Sequence, residues 1–318
     1  MNAAPIRPPA ILLMGPTASG KTAVAMALTR RFPVELISVD SAQVFRDMDI
    51  GTAKPDAATL RAYPHHLIDL ISPAEAYSAA RFCADALAAM ADISARGKLP
   101  LLVGGTMLYF KALLEGLAEL PQACPETRAE IDAQAIAHGW PVVHAALAEV
   151  DPQTAARLHP TDAQRIQRAL EVFRLAGRPL SALLAEGESQ LPPYQFLSLG
   201  LLPSERGVLH ERIAQRYDAM LRAGLESEVA MLRAKYPLNP SLPSMRCVGY
   251  RQIWAVQDGL APRAEMRDRG IYATRQLAKR QITWMSNTLK PEIFDCLAQD
   301  VEAQIGERVA RFLADLPR

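Results

Sequence analysis

The sequence has no long hydrophobic run, few cysteines and almost no excess of charge of either sign. The apolar run at residues 10–14 is five residues long, whereas a bilayer span needs roughly 20. No leader pattern opens the chain, so we expect neither a membrane partner nor export. The four cysteines, Cys83, Cys124, Cys247 and Cys296, fit no metal-ligand spacing, and we expect free thiols in a reducing cytoplasm.

The composition is that of an ordinary globular protein. Of the 318 residues, 50% are hydrophobic and 22% are charged. This amount of apolar material supports a sizeable core and excludes wholesale disorder. At roughly 150 residues per domain, the length suggests about two domains.

Basic residues are concentrated in two stretches, although the formal net charge is only +1. Residues 246–290 hold nine Lys and Arg against three acids, and residues 157–178 hold five Arg against two acids. Residues 291–318 compensate with six acids against three basic residues. The near-neutral total therefore hides two basic surfaces that suit an acidic partner.

The first 120 residues alternate strand and helix signals. Apolar runs at 11–14, 34–39 and 99–103 are separated by helical patterns at 21–32 and 81–96. Continuous apolar strands separated by helices are typical of a parallel sheet that is buried on both faces.

The pattern changes after a proline-containing connector at 117–125. From there to about residue 184 the signals are helical only. The clearest helix is predicted to be capped by Thr161 with Gln164 and to end at Gly177. A strand at 196–201 and long helices at about 205–234 and 262–288 follow.

These signals predict an α/β fold with a parallel sheet covered by helices and an all-helical insertion. Residues 1–118 and 191–318 would form the core, and residues 119–190 would form the insertion.

A phosphate-binding loop follows the first strand. The motif G-x-x-x-x-G-K-[ST] is formed by Gly15, Pro16, Thr17, Ala18, Ser19, Gly20, Lys21 and Thr22. It stands between an apolar strand and a helix, as in P-loop NTPases. Backbone N–H groups would hold phosphate oxygens, Lys21 would add a point charge, and Thr22 would be a ligand of Mg²⁺. The motif predicts a di- or triphosphate ligand without naming the compound.

A kinase usually has an acidic residue for Mg²⁺ at the end of a second buried strand, and the strand at 99–103 has none there. The strand at 99–103 ends in Gly-Gly-Thr, and the available acid is Asp40, after the strand at 34–39. We therefore expect the phosphate to be held for a purpose other than γ-phosphoryl transfer. A nucleotide or metabolite kinase and an NTP-regulated RNA-binding module remain the alternatives.

Eight segments, in order along the chain, carry a resemblance to a known family. They read GPTASGKT at 15–22, DSAQ at 40–43, MDIGTAKP at 48–55, PHHLID at 64–69, VGGTMLY at 103–109, DAQRIQRALE at 162–171, MRCVGYRQ at 245–252 and TRQLAKRQITW at 274–284. Over about residues 10–290 the chain resembles the bacterial tRNA dimethylallyltransferases, also called tRNA isopentenylpyrophosphate transferases. It departs from them at Ala42, Phe45 and Ser286.

The resemblance implies a reaction and its participants. A dimethylallyl group would pass from dimethylallyl diphosphate to the N6 amine of the adenosine on the 3′ side of the anticodon. The partners would be dimethylallyl diphosphate and the anticodon stem-loop of tRNA, with Mg²⁺ as cofactor and a monomeric, cytoplasmic enzyme. The phosphate loop would bind the diphosphate leaving group.

The same resemblance assigns catalytic residues. Asp40 would be the general base for the amine, with a role near Mg²⁺ or in capping a turn as the alternative. Thr106 would face the RNA, or cap a helix. Arg216 and Arg212, four residues apart on one helix, would meet the diphosphate, or pair with Glu211 or Asp218.

A larger set is implied to contact tRNA. For the residues of the insertion, the alternative to RNA contact is a helix face that is exposed to solvent only. For Trp284, the alternative is a place in the hydrophobic core. The set consists of Asp40, Ser41, Ala42, Gln43, Thr106, Arg128, Gln164, Arg165, Ile166, Gln167, Arg168, Arg246, Cys247, Val248, Gly249, Tyr250, Arg251, Lys279, Arg280, Gln281, Ile282, Thr283, Trp284, Met285 and Ser286.

Overall fold

The chain divides into two compact units. A computed structural model describes residues 7–118, 120–186 and 191–316. One unit consists of Met1–Leu114 with Pro192–Arg318, and the other is Glu115–Leu191. Each unit has a hydrophobic core of its own.

A six-stranded parallel sheet forms the centre of the first unit, as the sequence predicted. The strand order is β3-β2-β4-β1-β5-β6, and every pairing is parallel. The strands are β1 (Pro9–Met14), β2 (Val34–Val39), β3 (His65–His66), β4 (Leu99–Gly104), β5 (Gln195–Leu202) and β6 (Glu292–Asp295). The sequence did not predict β3 and β6, because edge strands of two and four residues carry no periodic signal.

Helices cover both faces of this sheet. Alternate residues of the central strands point to opposite faces, so Leu12 and Ile37 pack in one core while Ile11 and Leu36 pack in the other. The first core is completed by α3 (Ala79–Ala95) and α4 (Met107–Glu115), and the second by α1 (Lys21–Arg31) and α14 (Val301–Ala314). The short α2 (Ala57–Ala62) precedes β3.

A third core lies among the later helices and the loop that follows β2. The helices are α10 (Arg206–Arg222), α11 (Leu225–Lys235), α12 (Tyr250–Gln257) and α13 (Met266–Trp284). The predicted helix at 205–234 is two helices, because Gly224 adopts a left-handed φ of 99° between them. The predicted helix at 262–288 begins as a 3₁₀ turn at Arg263–Glu265 and ends as a π-helical turn at Met285–Leu289.

The second unit is helical throughout its described residues. Its helices are α5 (Pro125–His138), α6 (Trp140–Val150), α7 (Pro152–Ala155), α8 (Ala163–Ala176) and α9 (Leu180–Glu186). Ile131, Leu147 and Ile166 lie in its core. The prediction that Thr161 caps α8 was wrong, since Asp162 caps it and the Thr161 hydroxyl bonds to His159 instead. Gly177 ends the helix, as predicted, with a φ of 67°.

Among the described residues, no helix combines the length and apolar character needed to cross a membrane.

The close contact between α10 and α13 gives a test of this packing. A Cβ at Gly270 would lie 2.0 Å from the Tyr217 ring, so Gly270→Ala should destabilise the protein by about 1–3 kcal/mol through overpacking. Gly207→Ala on α10 is the matched control, because nothing lies within 4 Å of its added Cβ. It should stabilise the helix by about 0.5–1 kcal/mol. Urea unfolding of both variants measures the two effects, and equal effects would contradict the packing.

Candidate functional site at the carboxyl edge of the sheet

Three adjacent strands end at the same level. Gly104 of β4 is paired with Met14 of β1 on one side and with Val39 of β2 on the other. The segments that follow these strands are the phosphate loop, the loop that begins with Asp40, and Gly105-Thr106. Parallel α/β sheets bind ligands at this edge. The sheet thus collects sequence-predicted groups that lie up to 91 residues apart in the chain.

The phosphate loop has the backbone of an anion site. Ala18 and Gly20 adopt left-handed φ values of 64° and 83°. No side chain caps the first turn of α1, so its N–H groups remain available for an anion. The Ser19 hydroxyl is buried and has no hydrogen-bond partner among the described residues. Such an orphaned polar atom fits a loop built to meet a polar ligand.

Lys21 lies in an electrostatically strained position. Its ammonium donates a 2.7 Å hydrogen bond to the Pro16 carbonyl. Burial and then the charge of Arg216 lower the pKa of Lys21 to about 7, and the Asp40 carboxylate only partly opposes them. A bound anion would relieve the repulsion between the two cations.

The two arginines of α10 lie near the phosphate loop. Burial lowers the pKa of Arg216, and the charge of Asp40 opposes that change, so the guanidinium lies near Asp40 as well as near Lys21. Burial raises the pKa of the Cys296 thiol, and the charges of Arg212 and Lys21 oppose that change. Cys296 is thus a neighbour of both cations. The predicted alternative for Arg216 is not observed, since Asp218 pairs with Arg267 at 2.6 Å.

Asp40 begins a tight turn. Its Oδ1 accepts hydrogen bonds from the N–H groups of Ala42, at 2.8 Å, and Gln43, at 3.3 Å. Its Oδ2 accepts no hydrogen bond from the described part of the chain. One oxygen therefore holds the turn while the other remains free to accept a proton.

Thr106 ties the Asp40 loop to β4. Its hydroxyl accepts from the Ser41 N–H at 3.0 Å and lies 3.4 Å from the Ser41 hydroxyl. Its carbonyl accepts from the Tyr109 N–H at the start of α4. Thr106 thus precedes α4 in a helix-capping position while its side chain bonds to the Asp40 loop, and its contact with RNA stays a prediction.

Gln281 joins the phosphate loop to β4. It accepts a hydrogen bond from the Thr17 N–H at 2.9 Å and donates one to the Gly105 carbonyl at 2.8 Å. A Cβ at Gly105 would lie 2.4 Å from its Nε2, and one at Gly104 would lie 2.0 Å from the Val39 carbonyl oxygen. These two glycines therefore make room for protein groups. Gln281 itself is engaged inside the protein and is not an exposed RNA contact.

The segment at 245–252 is only partly available to a ligand. Burial, and then the charge of Asp40, raise the pKa of the Cys247 thiol to about 12, which places Cys247 beside the catalytic candidate. The prediction that the Tyr250 side chain contacts tRNA is wrong, because its ring is fully buried and its hydroxyl donates to Glu228. Gly249 is also buried and Val248 half-buried, whereas Arg246 and Arg251 are exposed.

The end of α13 presents cations on its exposed face. Lys279, Arg280, Thr283 and Ser286 are exposed. Met285 is fully buried, and Ile282 and the half-buried Trp284 pack against the cores, so these three residues support the helix. Arg263, Arg267 and Arg269 are paired with acids, but Arg251, Lys279 and Arg280 have no ion-pair partner within residues 7–118, 120–186 and 191–316. The basic stretch therefore reduces to a smaller set of free charges.

In the insertion, most of the predicted RNA-binding cations are neutralised locally. Glu171 is fully buried and accepts hydrogen bonds from Arg128 at 2.8 Å and from Arg168 at 2.6 Å. Arg165 is 70% exposed and pairs with Asp162. Gln167 bonds to Asp132, and Ile166 is buried in the helical core. Of this set, Arg165 presents its charge most openly, while Gln164 is hydrogen-bonded or otherwise engaged.

Sequence reasoning missed residues whose role depends on distant contacts. Cys296 beside Lys21 and Glu228 beside the Asp40 loop belong to no motif. Lys54 lies within the quoted segment at 48–55, but nothing local indicates that its ammonium would be 3% exposed between two aspartates. Only tertiary contacts reveal these residues.

The sheet and its phosphate loop define a P-loop NTPase-like α/β protein with a carboxylate beside the phosphate site. A family model described as IPP transferase matches residues 43–288. The chain belongs to this family, which confirms the resemblance read from its motifs.

The relatives are similar over most or all of their lengths. A tRNA dimethylallyltransferase from Dechloromonas aromatica (strain RCB) is 69% identical over 310 residues, which are 98% of this chain and 99% of that protein. The crystal structure of the full-length tRNA isopentenylpyrophosphate transferase from Bacillus halodurans is similar with a TM-score of 0.70 at 35% identity, covering 96% of this chain and 97% of that one. A eukaryotic dimethylallyltransferase acting on tRNA is similar with a TM-score of 0.82 at 26% identity, covering 98% and 80%.

The lowered pKa of Lys21 predicts proton uptake when an anion binds. At pH 8 the free side chain is mostly neutral, because its pKa is about 7, and a bound diphosphate favours the charged form. Calorimetry of inorganic diphosphate binding in two buffers of different ionisation enthalpy should show up to about one more proton taken up at pH 8 than at pH 6. Lys21→Arg is the control, since arginine stays charged. Equal proton uptake by both proteins at pH 8 would contradict the assignment.

Proposed function

We propose that this protein transfers a dimethylallyl group from dimethylallyl diphosphate to the N6 amine of the adenosine on the 3′ side of the anticodon of tRNA, with release of diphosphate. The observation that carries the proposal is the position of Asp40, whose Oδ2 accepts no hydrogen bond from the described residues and whose carboxylate lies near Lys21 of the phosphate loop and near Arg216. Family membership supports the same chemistry.

The reaction follows from these groups. The N6 nitrogen forms a bond to C1 of the dimethylallyl group as the bond from C1 to the diphosphate oxygen breaks. Asp40 accepts the proton that the amine loses, which makes a weakly nucleophilic exocyclic amine competent. Lys21, Arg216 and the loop N–H groups hold the negative charge that develops on the leaving diphosphate, with Arg212 nearby.

Magnesium fits this site as an ion carried by the diphosphate. Among the described residues, no cluster of three or more His, Cys, Asp or Glu side chains could form a protein metal centre. Mg²⁺ commonly binds through phosphate oxygens and few protein ligands, and the Thr22 hydroxyl at the start of α1 is a suitable ligand. When bound, the ion would neutralise charge on the diphosphate. In this proposal the enzyme is a cytoplasmic monomer.

The direct test is a product analysis. Purified protein is incubated with dimethylallyl diphosphate, Mg²⁺ and unmodified tRNA, and the digested nucleosides are analysed by mass. We expect N6-dimethylallyladenosine at the position 3′ of the anticodon. Phosphate transfer from ATP to an acceptor, without prenylation, would overturn the proposal and favour a kinase.

Asp40→Asn isolates the proton-accepting role. Asparagine keeps an oxygen that can accept from Ala42 and Gln43, so the turn is retained, but it is not a base. We expect turnover to fall about 10²–10⁴-fold with little change in tRNA affinity. Asp40→Ala, which loses the turn as well, is the comparison. Loss of less than tenfold in Asp40→Asn at saturating substrates would show that the carboxylate only shapes the loop.

The free cations of α13 should contact tRNA phosphates. Lys279→Glu combined with Arg280→Glu should weaken tRNA binding and lower the slope of log K against log[salt] by about one to two units, since fewer counterions are released. Arg30→Glu combined with Arg311→Glu is the matched control, because both residues are exposed and lie at the ends of α1 and α14. Equal slopes for the two double variants would remove α13 from the RNA surface.

A further inference from the structure

The loop that follows β2 is irregular and strained, and so is the segment that follows β3. Asp47, Ala53, Leu67 and Asp69 adopt left-handed φ values between 48° and 65°, and they are four of the six non-glycine residues with positive φ among those described. Backbone of this kind persists only where surrounding contacts fix it, and it concentrates at functional sites. The question is which contacts fix this loop and what they position.

The carboxylate of Glu228 on α11 accepts hydrogen bonds from the backbone of one part of the loop. Its side chain is largely buried, with the residue 8% exposed. Its Oε2 accepts from the N–H groups of Asp49 at 3.1 Å and Ile50 at 2.7 Å, and its Oε1 accepts from the N–H of Gly51 at 3.1 Å. Three successive backbone donors thus converge on one carboxylate.

Tyr250 completes this arrangement. Its hydroxyl donates to Glu228 Oε1 at 2.5 Å, and its ring lies so close to the loop that a Cβ at Gly51 would come within 2.5 Å of it. The tyrosine therefore orients the carboxylate and packs against the backbone that the carboxylate holds. These contacts explain why the ring is buried rather than exposed to RNA.

The backbone carbonyls of the two residues that follow Gly51 orient the Gln43 side chain. The Gln43 Nε2 donates to the carbonyls of Thr52 at 3.4 Å and Ala53 at 3.5 Å, and its Oε1 accepts from the Ser38 hydroxyl at 2.9 Å. Because the two carbonyls can only accept, they require the NH₂ group on their side and so set the orientation of the carboxamide. Gln43 lies three residues after Asp40, whose Oδ1 holds its N–H.

We propose that Glu228, together with Tyr250, is a positioning residue that sets the base specificity of the acceptor site by fixing the backbone against which the Gln43 carboxamide is oriented. The inference rests on the proposed function. Adenine presents a donor at N6 and an acceptor at N1, whereas guanine presents the opposite pair at O6 and N1. A carboxamide of fixed orientation distinguishes these edges, and one that is free to flip does not.

The experiment compares Glu228→Gln with wild type. Glutamine places an NH₂ among backbone donors, so the loop loses acceptors while the side-chain volume is kept. We expect the KM for an anticodon stem-loop carrying the acceptor adenosine to rise about tenfold or more, as for buried donors left unsatisfied. The Kd of dimethylallyl diphosphate should stay within about twofold, because the phosphate loop makes none of these contacts.

The base specificity of the acceptor site is measured as well, because simple destabilisation of the protein would not change it. The same stem-loop carrying guanosine at the acceptor position serves as a competitive inhibitor, and its Ki is compared with the KM of the adenosine form. Glu228→Gln should bring the two values closer together, Tyr250→Phe should do so to a smaller extent, and Glu228→Asp should restore part of the difference. In a Gln43→Ala background, Glu228→Gln should have no further effect on the ratio.

A matched control lies in the same loop. Tyr236 donates to Asp47 Oδ2, which does not contact the Thr52 or Ala53 carbonyls, so Tyr236→Phe should leave the ratio unchanged. If Glu228→Gln, Glu228→Asp and Tyr250→Phe all leave the ratio at the wild-type value while wild type is active, the inference is overturned. If wild type does not prenylate the adenosine stem-loop, the proposed function fails and the inference falls with it.

Discussion

The common level at which β1, β2 and β4 end is the constraint on which the site depends. The register pairs Met14 and Val39 with the same residue, Gly104, so the loops that follow emerge side by side. Gly104 has to be glycine because a side chain would collide with the Val39 carbonyl. Gln281 then joins the phosphate loop to Gly105 through two hydrogen bonds. The phosphate loop and the Asp40 carboxylate are thereby held side by side.

A second layer of contacts fixes the loop after β2, which has no regular structure of its own. Lys54, almost fully buried, donates to the Phe45 carbonyl and pairs with Asp49 and Asp69, all at 3.0 Å or less. Glu228 gathers three N–H groups on the other side. Buried ionic groups of this kind are costly unless every polar atom is satisfied. Their presence is better explained by the need for one defined loop geometry than by stability alone.

The sequence was sufficient for features that are local. The strands β1, β2 and β4, the phosphate loop and the end of α8 at Gly177 follow from apolar runs, glycine spacing and helix stops within a few residues. The edge strands β3 and β6 were missed because their pairing comes from the neighbouring strand and not from their own residues. Tyr250 was misread for a related reason, since an aromatic next to arginines looks the same whether its ring is exposed or buried against Gly51.

The distribution of charge shows most clearly what a local stretch of sequence cannot predict. A window of sequence reports how many cations are present, but their availability depends on acids that arrive from elsewhere in the fold. Arg267 is neutralised by Asp218, 49 residues earlier, and Arg128 by Glu171, 43 residues later. Lys279 and Arg280 receive no such partner within the described residues, although they belong to the same basic stretch as Arg267. A protein cation that neutralises a phosphate releases counterions from the nucleic acid, and a cation that is already paired with an acid is less available for this. The surface that meets a nucleic acid is therefore decided by tertiary ion pairing and not by the composition of a segment.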